Sequence, residues 1–247
     1  MLKDERQAAI MALLEERSYL SVDFLCKTLH YSPATLRRDI RALVRAGLAH
    51  KSYGGIALGG TVKPLAVREH EFSAEKAAVA ACSASLLRDG DTVFVAGSSS
   101  TAHLLRPLAA CRDITVVTTD LQMALALERL GVRVFSTGGA LKDGMCVGPM
   151  AADALRRLHY DIAFFSVAGL SEDGELSVFS EAFGLLLQEV IARADRAVCL
   201  CIGEKLGRRA FFSVGDLSAV SHFISDRPLP PALTSRFGDT AFLVAEK

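Results

Sequence analysis

The sequence carries no excess of either charge, with 28 Lys and Arg against 28 Asp and Glu. A chain that is basic throughout and coats nucleic acid by bulk charge is thereby excluded, whereas a local basic patch is not. It lacks any uncharged apolar run of about 18 residues, so no membrane span is expected. The opening Met1-Leu2-Lys3-Asp4-Glu5-Arg6 has mixed charge and no apolar run behind it. The expectation is that no secretory leader is present and that the chain works in the reducing cytoplasm. Cysteine is sparse and scattered (Cys26, Cys82, Cys111, Cys146, Cys199, Cys201), which does not resemble a disulfide framework. Cys199 and Cys201 lie in an apolar run with no second Cys or His pair at zinc spacing, so they read as packing residues and no metal is expected. There is no internal repeat and no low-complexity tract.

What is present is apolar residue, 51% over 247 positions. That is enough to bury a sizeable core in one large or two modest domains. Charge is unevenly spread. Residues 1–60 hold nine Lys or Arg and six Asp or Glu. Between Ser32 and Tyr53 there are five basic residues and one acid, Asp39. One end of the chain therefore suits an anionic partner. The Gly-rich stretch Leu58-Gly59-Gly60-Thr61-Val62-Lys63-Pro64 reads as a linker. Before it the apolar period is helical. After it, helical stretches alternate with short apolar runs at 92–96, 114–118, 132–137, 162–168, 197–202, 222–225 and 241–245, a pattern that predicts βα units on a mostly parallel sheet. The expected division is a DNA-binding unit at 1–58, a linker at 59–72 and an α/β unit at 73–247.

In the first unit, Ile10, Leu13 and Leu14 mark one amphipathic helix. Ser21 caps a second over 22–29. His30-Tyr31-Ser32 make a turn, and Ser32-Pro33 opens a third helix running to about Ala46. On that helix Leu36, Ile40, Leu43 and Val44 form one stripe, while Arg38, Arg41 and Arg45 point the opposite way, with Arg37 on the flank. A recognition helix presents its N-terminal end, here Ser32, Ala34, Thr35 and Arg37, to base edges or phosphates. The run from Leu48 to Leu58 predicts a hairpin turning at Gly54-Gly55. A hairpin in that position is the wing of a winged helix-turn-helix, with Lys51 and Tyr53 facing the backbone or minor groove. The plainer alternative is a three-helix domain with a solvated basic face.

Pro33-Ala34-Thr35-Leu36-Arg37-Arg38-Asp39-Ile40, then Gly47-Leu48, then Tyr53-Gly54-Gly55, resembles the signature of the DeoR family of bacterial transcription regulators, with Tyr53 in place of the family's His. That resemblance implies binding to a double-stranded DNA operator, by repression more often than activation.

In the second unit, Asp89-Gly90-Asp91 turns a helix into a strand that ends in Gly97-Ser98-Ser99-Ser100-Thr101. Such a loop offers N–H groups, hydroxyls and a helix N-terminus to an anion such as phosphate, or simply caps the helix. Thr119 and Asp120, Gly138 and Gly139, Gly169, and Lys205 follow other strands. In an open α/β sheet such ends converge on one crevice, which favours a small anionic ligand. The D-G-D-T start, the strand-end Gly-Gly, Asp161-x-Ala163-Phe164 and Lys205-x-Gly207-Arg208-Arg209-Ala210-Phe211 are similar to the DeoR sensor domain. The resemblance implies a Rossmann-like fold related to ribose-5-phosphate isomerase, and a phosphorylated sugar or related metabolite as effector. Ala96 and Ile202 stand where the family carries acids, which removes two acceptors for sugar hydroxyls while sparing the hydroxyl-rich loop. Asp120 offers one acceptor in return. Three readings follow: a ligand-responsive DNA-binding regulator, a DNA-binding protein whose sensor has lost or changed its ligand, and an isomerase-type enzyme. The missing carboxylates argue against the third, because proton abstraction needs a positioned base, so no catalytic residue and no cofactor are expected. The acidic run Glu172, Asp173 and Glu175 reads as a solvated loop. Reading two half-sites gives avidity and specificity, so a homodimer or homotetramer is expected. The apolar face of Phe183, Leu186, Leu187 and Val190 reads as core or subunit contact.

Overall fold

The computed structural model describes residues 3–17, 19–46, 48–52, 55–58 and 71–246. Three helices open the chain: α1 (Lys3–Arg17), α2 (Val22–Leu29) and α3 (Pro33–Arg45). Their period-3.6 apolar positions meet in one cluster of Ile10, Leu14, Leu25, Leu36, Ile40 and Leu43. Ser21 Oγ accepts from the Phe24 N–H at 3.0 Å and starts α2. His30, at φ 57, ends that helix in the left-handed region. This is the turn that sets the angle between α2 and α3. Strands β1 (Tyr19–Ser21), β2 (Ala49–Ser52) and β3 (Gly55–Leu58) form an antiparallel sheet in the order β1-β3-β2. The hairpin expected from sequence is there, with Ser52 opposite Gly55. Strand β1 was not foreseen, because three residues are too few for a readable period. Gly47, Tyr53, Gly54 and the stretch 59–70 of the expected linker lie outside the described residues, as do the side chains of Lys51 and its strand neighbour His50.

All seven apolar runs read from the sequence are strands of one parallel sheet. They are β4 (Thr92–Val95), β5 (Thr115–Thr118), β6 (Arg133–Ser136), β9 (Ile162–Ser166), β12 (Ala197–Cys201), β14 (His222–Ser225) and β15 (Ala241–Val244), in the order β15-β14-β12-β9-β4-β5-β6. The central strands are buried on both faces, which is why they read as continuous rather than alternating apolar runs. Ile162, Phe164, Val198 and Leu200 enter one core and Ala163, Phe165, Cys199 and Cys201 the other. Helix α4 (Ser73–Ala84) ends a few residues before the Asp89-Gly90-Asp91 turn. The helix that follows the Gly97–Thr101 loop divides into a 3-10 turn, Thr101–Leu104, and α5 (Leu105–Ala110). Pro107 has no N–H to donate backwards across that junction.

Around the sheet lie α6 (Leu121–Arg129), the hairpin β7 (Ala140–Lys142) and β8 (Met145–Val147), and α7 (Pro149–Arg156). Later come β10 (Gly169–Leu170), β11 (Glu175–Val178), α8 (Glu181–Ile191), β13 (Phe212–Asp216) and α9 (Pro231–Arg236). Strands β10, β11 and β13 make a small antiparallel sheet that sequence periodicity did not reveal. In its turn Glu172 and Asp173 are exposed, as a solvated loop requires; Asp173 also accepts from Ser171 Oγ and pairs with Arg209 at 2.7 Å, and Glu175 pairs with the same guanidinium at 3.3 Å. On α8, Leu186, Leu187 and Val190 are buried in the core.

The chain runs β4, β5, β6 toward one edge and then restarts at β9 on the other side of β4. This reversal makes the C-terminal ends of β4 and β9 a topological switch point, where the two crossovers diverge and leave a crevice. At the opposite ends of the same strands, Arg196 donates to Asp91 at 2.8 Å, to the Leu86 carbonyl at 2.6 Å and to the Asp161 carbonyl at 3.2 Å. Asp161 in turn accepts from the Thr92 N–H at 2.6 Å. Asp91 and Asp161, both noted in the sequence motifs, thus fasten the bottom of the sheet and are remote from the crevice.

Candidate functional site

Two sets of residues present polar chemistry, and they do so in opposite ways. The first is α3. Ser32 Oγ accepts from the Thr35 N–H at 3.3 Å and lies 3.0 Å from Thr35 Oγ1, which closes the helix start. Ser32, Ala34, Arg37, Arg38, Arg41 and Arg45 are exposed and Thr35 is half-buried, while Leu36, Ile40 and Leu43 are buried on the other side. Arg41 donates to the Arg37 carbonyl and Arg45 to the Arg41 carbonyl, at 3.1 and 3.3 Å. Their stems therefore lie along the helix and line its outer face with charge. Lys51 belongs to β2, the strand that follows. Nothing is described for the side chain of Lys51 or for Tyr53.

The one acid inside this basic segment has a partner the sequence did not reveal. Asp39 is 1% exposed, and Arg6 of α1 grips it through Nε at 2.5 Å and Nη2 at 3.1 Å. The Arg6 guanidinium also stacks on Tyr31 at 4.7 Å. The hydrogen bond that Arg6 donates to Asp39 raises the pKa of Arg6. The α3 face is thus oriented by a bidentate pair to α1 as well as by the apolar stripe. A basic residue one helix away gives no short-range signal of such a bond.

The second set lies at the C-terminal strand ends. After β4, Ser98 Oγ meets Thr101 Oγ1 at 2.8 Å and accepts from the Thr101 N–H at 3.1 Å, and Thr101 Oγ1 donates to the Ala96 carbonyl at 2.5 Å. The Ser98 and Thr101 hydroxyls are thus engaged within the loop itself, while the 3-10 turn that follows has no side-chain cap hydrogen bond at its N-cap, Ser100. Ser99 and Ser100 are buried, as is Thr119 on the neighbouring strand end. Ser100 Oγ and Thr119 Oγ1 are buried without any hydrogen-bond partner among the described residues. Two such hydroxyls on adjacent strands depart from the rule that buried polar groups are satisfied, and they suit a bound polar molecule. Among the described residues no carbonyl accepts from the N–H groups of Gly97, Ser98, Ser99 or Ser100.

Asp120 caps α6, its Oδ1 accepting from the N–H groups of Gln122 and Met123 at 2.9 and 3.1 Å. Its Oδ2 leans over Gly97, where an added Cβ would lie 2.8 Å from it and 3.0 Å from Met145 Sδ. Gly97 and Asp120 are therefore brought together, roofed by Met145, which the sequence did not single out. Gly138 and Gly139 take φ of +67 and +114 in the turn from β6 to β7. Gly139 approaches the Val147 carbonyl so closely that a Cβ would meet it at 2.9 Å. Their role is to fold the β7–β8 hairpin back. The Cys146 N–H then donates to the Thr119 carbonyl at 2.7 Å, and the Leu121 N–H to that of Gly144 at 3.2 Å. Lys205 follows β12, and its Nζ donates to Ser166 Oγ, at the end of β9, at 2.8 Å. Ser166 was not foreseen. It is one polar residue at the end of a buried strand.

Glu204, beside Lys205, pairs with Arg208 at 2.6 Å. Burial pushes the Cys199 thiol well up and the Cys201 thiol to about 12, which leaves both unreactive in the core. A cavity of about 560 Å³ lies at the far ends of β5 and β6, lined by Cys111, Asp113, Glu128 and Arg133 among others. None of the residues proposed for binding faces it. No described helix is long and apolar enough to cross a membrane.

A family model described as the DeoR-like helix-turn-helix domain matches residues 6–60, and one described as the DeoR C terminal sensor domain matches residues 71–227. The HTH-type transcriptional repressor CsqR of Escherichia coli (strain K12) is 28% identical over 240 residues, covering 95% of this chain and 92% of that one. The glycerol-3-phosphate regulon repressor of Escherichia coli (strain K12) is 25% identical over 235 residues, covering 93% of each. Among solved structures, eIF2B delta from Chaetomium thermophilum superposes with a TM-score of 0.50 at 16% identity. That match covers 66% of this chain and 59% of that one, so this chain spans less than two thirds of its length. The likeness shows the fold alone.

Proposed function

This chain belongs to the DeoR family of transcription regulators, and on that premise we propose that it represses carbohydrate or related metabolic genes in response to a small phosphorylated metabolite. DNA binding falls to residues 1–58, joined by a linker at 59–72 to an effector-sensing unit at 73–247. Ser32, Ala34, Thr35 and Arg37 meet base edges or phosphates, Arg38 and Arg41 neutralise phosphates, and Lys51 and Tyr53 reach the flanking backbone. The observation that carries this is α3 itself. Its arginines are exposed along the side opposite a fully buried stripe, at the helix that follows the turn.

The effector lies over Gly97, Ser98, Ser99, Ser100, Thr101, Thr119, Asp120, Gly138, Gly139 and Lys205. The unpartnered hydroxyls of Ser100 and Thr119 support an occupied crevice over a sensor that has lost its ligand. The same chemistry speaks against an enzyme. Asp120 is committed to a helix cap and Glu204 to Arg208, so neither is poised to abstract a proton. The protein acts in the cytoplasm as a homodimer or homotetramer, since paired half-sites multiply a modest single-site affinity. It needs no cofactor and no metal.

Recovery of the DNA bound in the cell tests the first part. Enrichment of inverted repeats upstream of carbohydrate genes is expected, and random genomic recovery would refute operator recognition. Thermal shift against phosphorylated metabolites tests the second. A true effector at a hundred times its Kd stabilises the sensor by about 2.7 kcal/mol.

A further inference from the structure

We infer that a second copy of this chain docks along the β6 edge of the parallel sheet, over a rim formed by Phe135, Leu141 and Met150, which rests on reading the protein as a homo-oligomer and names the surface that joins the copies.

Strand β6 ends the sheet, and among the described residues it pairs with β5 alone. Its outer edge is therefore open to strand addition. Folded sheets commonly blunt such an edge with Lys, Pro or a bulge. Arg133-Val134-Phe135-Ser136 carries only its leading Arg133. The register sets Phe135 opposite Val117, on the face that enters the core with Cys146 and Ala151. Phe135 is nevertheless 54% exposed, so the cover of that face does not reach the edge strand. Leu141, 62% exposed, stands opposite buried Cys146 in the β7–β8 hairpin. Met150, 71% exposed, precedes buried Ala151 on α7. Ser136 Oγ approaches Cys146 Sγ to 3.7 Å, and a Cβ on Gly139 would lie 3.6 Å from that of Ala151. Edge strand, hairpin and helix start thus bring three large apolar side chains to one outer rim of the core.

Size and charge say what covers this rim. At roughly 200 Å² for a large side chain, the exposed parts amount to about 300 Å² of apolar surface, a patch that marks an interaction site. With the open strand edge beside it, this suits the apolar centre of a standard interface of about 800 Å² per partner. The exposed charges nearby are of both signs. Arg133 shares the face of Phe135, Lys142 and Asp143 follow Leu141, and Glu128 lines the same cavity as Arg133. Duplex DNA or a strongly charged peptide calls for one sign. A balanced patch is complementary to itself across a two-fold axis, and antiparallel pairing of β6 with its own copy obeys the same symmetry. At the opposite edge of the sheet, β15 has one large apolar side chain that is exposed among the described residues, Val244 at 50%.

Sedimentation of the full chain over a range of concentrations reads the assembly. Phe135→Glu combined with Leu141→Glu sets like charges against each other across the joint. This variant is expected to raise the dissociation constant at least about tenfold while its circular dichroism spectrum stays that of the parent. Val244→Glu, at the opposite edge, is expected to leave association unchanged. Hydrogen exchange on the parent protein gives a reading that needs no variant. On dilution through the dissociation, amides of β6 and β7 are expected to exchange faster while those of β15 do not. Unchanged association in the folded double variant overturns the inference, as does equal weakening by Val244→Glu. So does β6 exchange that ignores concentration in a chain that still self-associates. A parent chain that stays monomeric at every concentration overturns the homo-oligomer reading instead.

Discussion

The outer face of α3 and the strand-end crevice are both polar, yet they treat polarity in opposite ways. On the outer face of α3 the polar side chains are exposed or satisfied locally. Ser32 caps its own helix and Arg41 and Arg45 donate to carbonyls four residues back. Such a surface is complete before any partner arrives and attracts a polyanion by charge. In the crevice, hydroxyls are sealed from water and left without partners. That arrangement costs free energy until something binds. The difference separates a surface that recognises a partner through long-range charge from one that recognises it through short-range complementarity. It also separates polar residues whose removal should destabilise from those whose removal should not.

The largest effect is expected where the α3 face itself depends on a buried group. Asp39 sits 1% exposed beneath that face, gripped by an Arg6 side chain that is itself 12% exposed. Removing one partner of such a pair leaves a largely desolvated charge behind. Asp39→Ala is expected to lower the temperature at which operator binding is lost by roughly 10 °C or more. Asp39→Asn, which keeps part of the hydrogen bonding, should fall between. If operator binding by Asp39→Ala survives heating as in the parent protein, the pair does not hold α3 in place.

Much of this was legible in the sequence, and what was not has a common cause. The central parallel strands appeared as short apolar runs because burial on both faces leaves no alternation to misread, and the more exposed edge strands β6 and β15 carried the same apolar residue types. The recognition helix was legible because its stripe, Ser32 cap and Pro33 lie within a few residues of each other. The strands β1, β7, β8, β10, β11 and β13 escaped because two to five residues outside the parallel sheet carry no readable period. The missing site residues share a different property. Asp39 with Arg6, Ser166 with Lys205, and Gly97 with Asp120 and Met145 are pairings across 23 or more positions of sequence. A single sequence names both partners of such a pair and gives no sign that they touch.

A paired substitution sharpens the contrast. Ser32→Ala removes a satisfied cap and should cost about 1 kcal/mol. Ser100→Ala combined with Thr119→Val removes two buried hydroxyls that are paired with nothing. Replacing unsatisfied polar groups by apolar ones of similar shape is neutral or stabilising, so this variant should melt at the parent temperature or a few degrees above it while losing its response to the effector. Calorimetric melting of both variants without ligand reads the two signs side by side. A double variant that melts well below the parent would mean those hydroxyls already have partners, and the case for a ligand between β4 and β5 would go with it.

The smallest change to the folded protein should come from Arg38→Ala, and it tests the other half of the contrast. Arg38 is exposed on α3, so its removal should leave melting unaltered. Its contribution is to the encounter with DNA. A guanidinium that neutralises one phosphate releases about one counterion, so the slope of log affinity against log salt should fall by about one unit. The loss should be similar for operator and for unrelated duplex, because a phosphate carries no sequence. Arg37, nearer the helix start, should behave differently. If it reads a base edge, Arg37→Ala costs about 1–3 kcal/mol of discrimination at a single position and leaves unrelated duplex nearly untouched. Titration of both variants on both duplexes at several salt concentrations separates the roles. Should Arg38→Ala lose sequence preference while its salt slope stays put, the helix is rotated in the groove relative to the face described here, and the two arginines exchange parts.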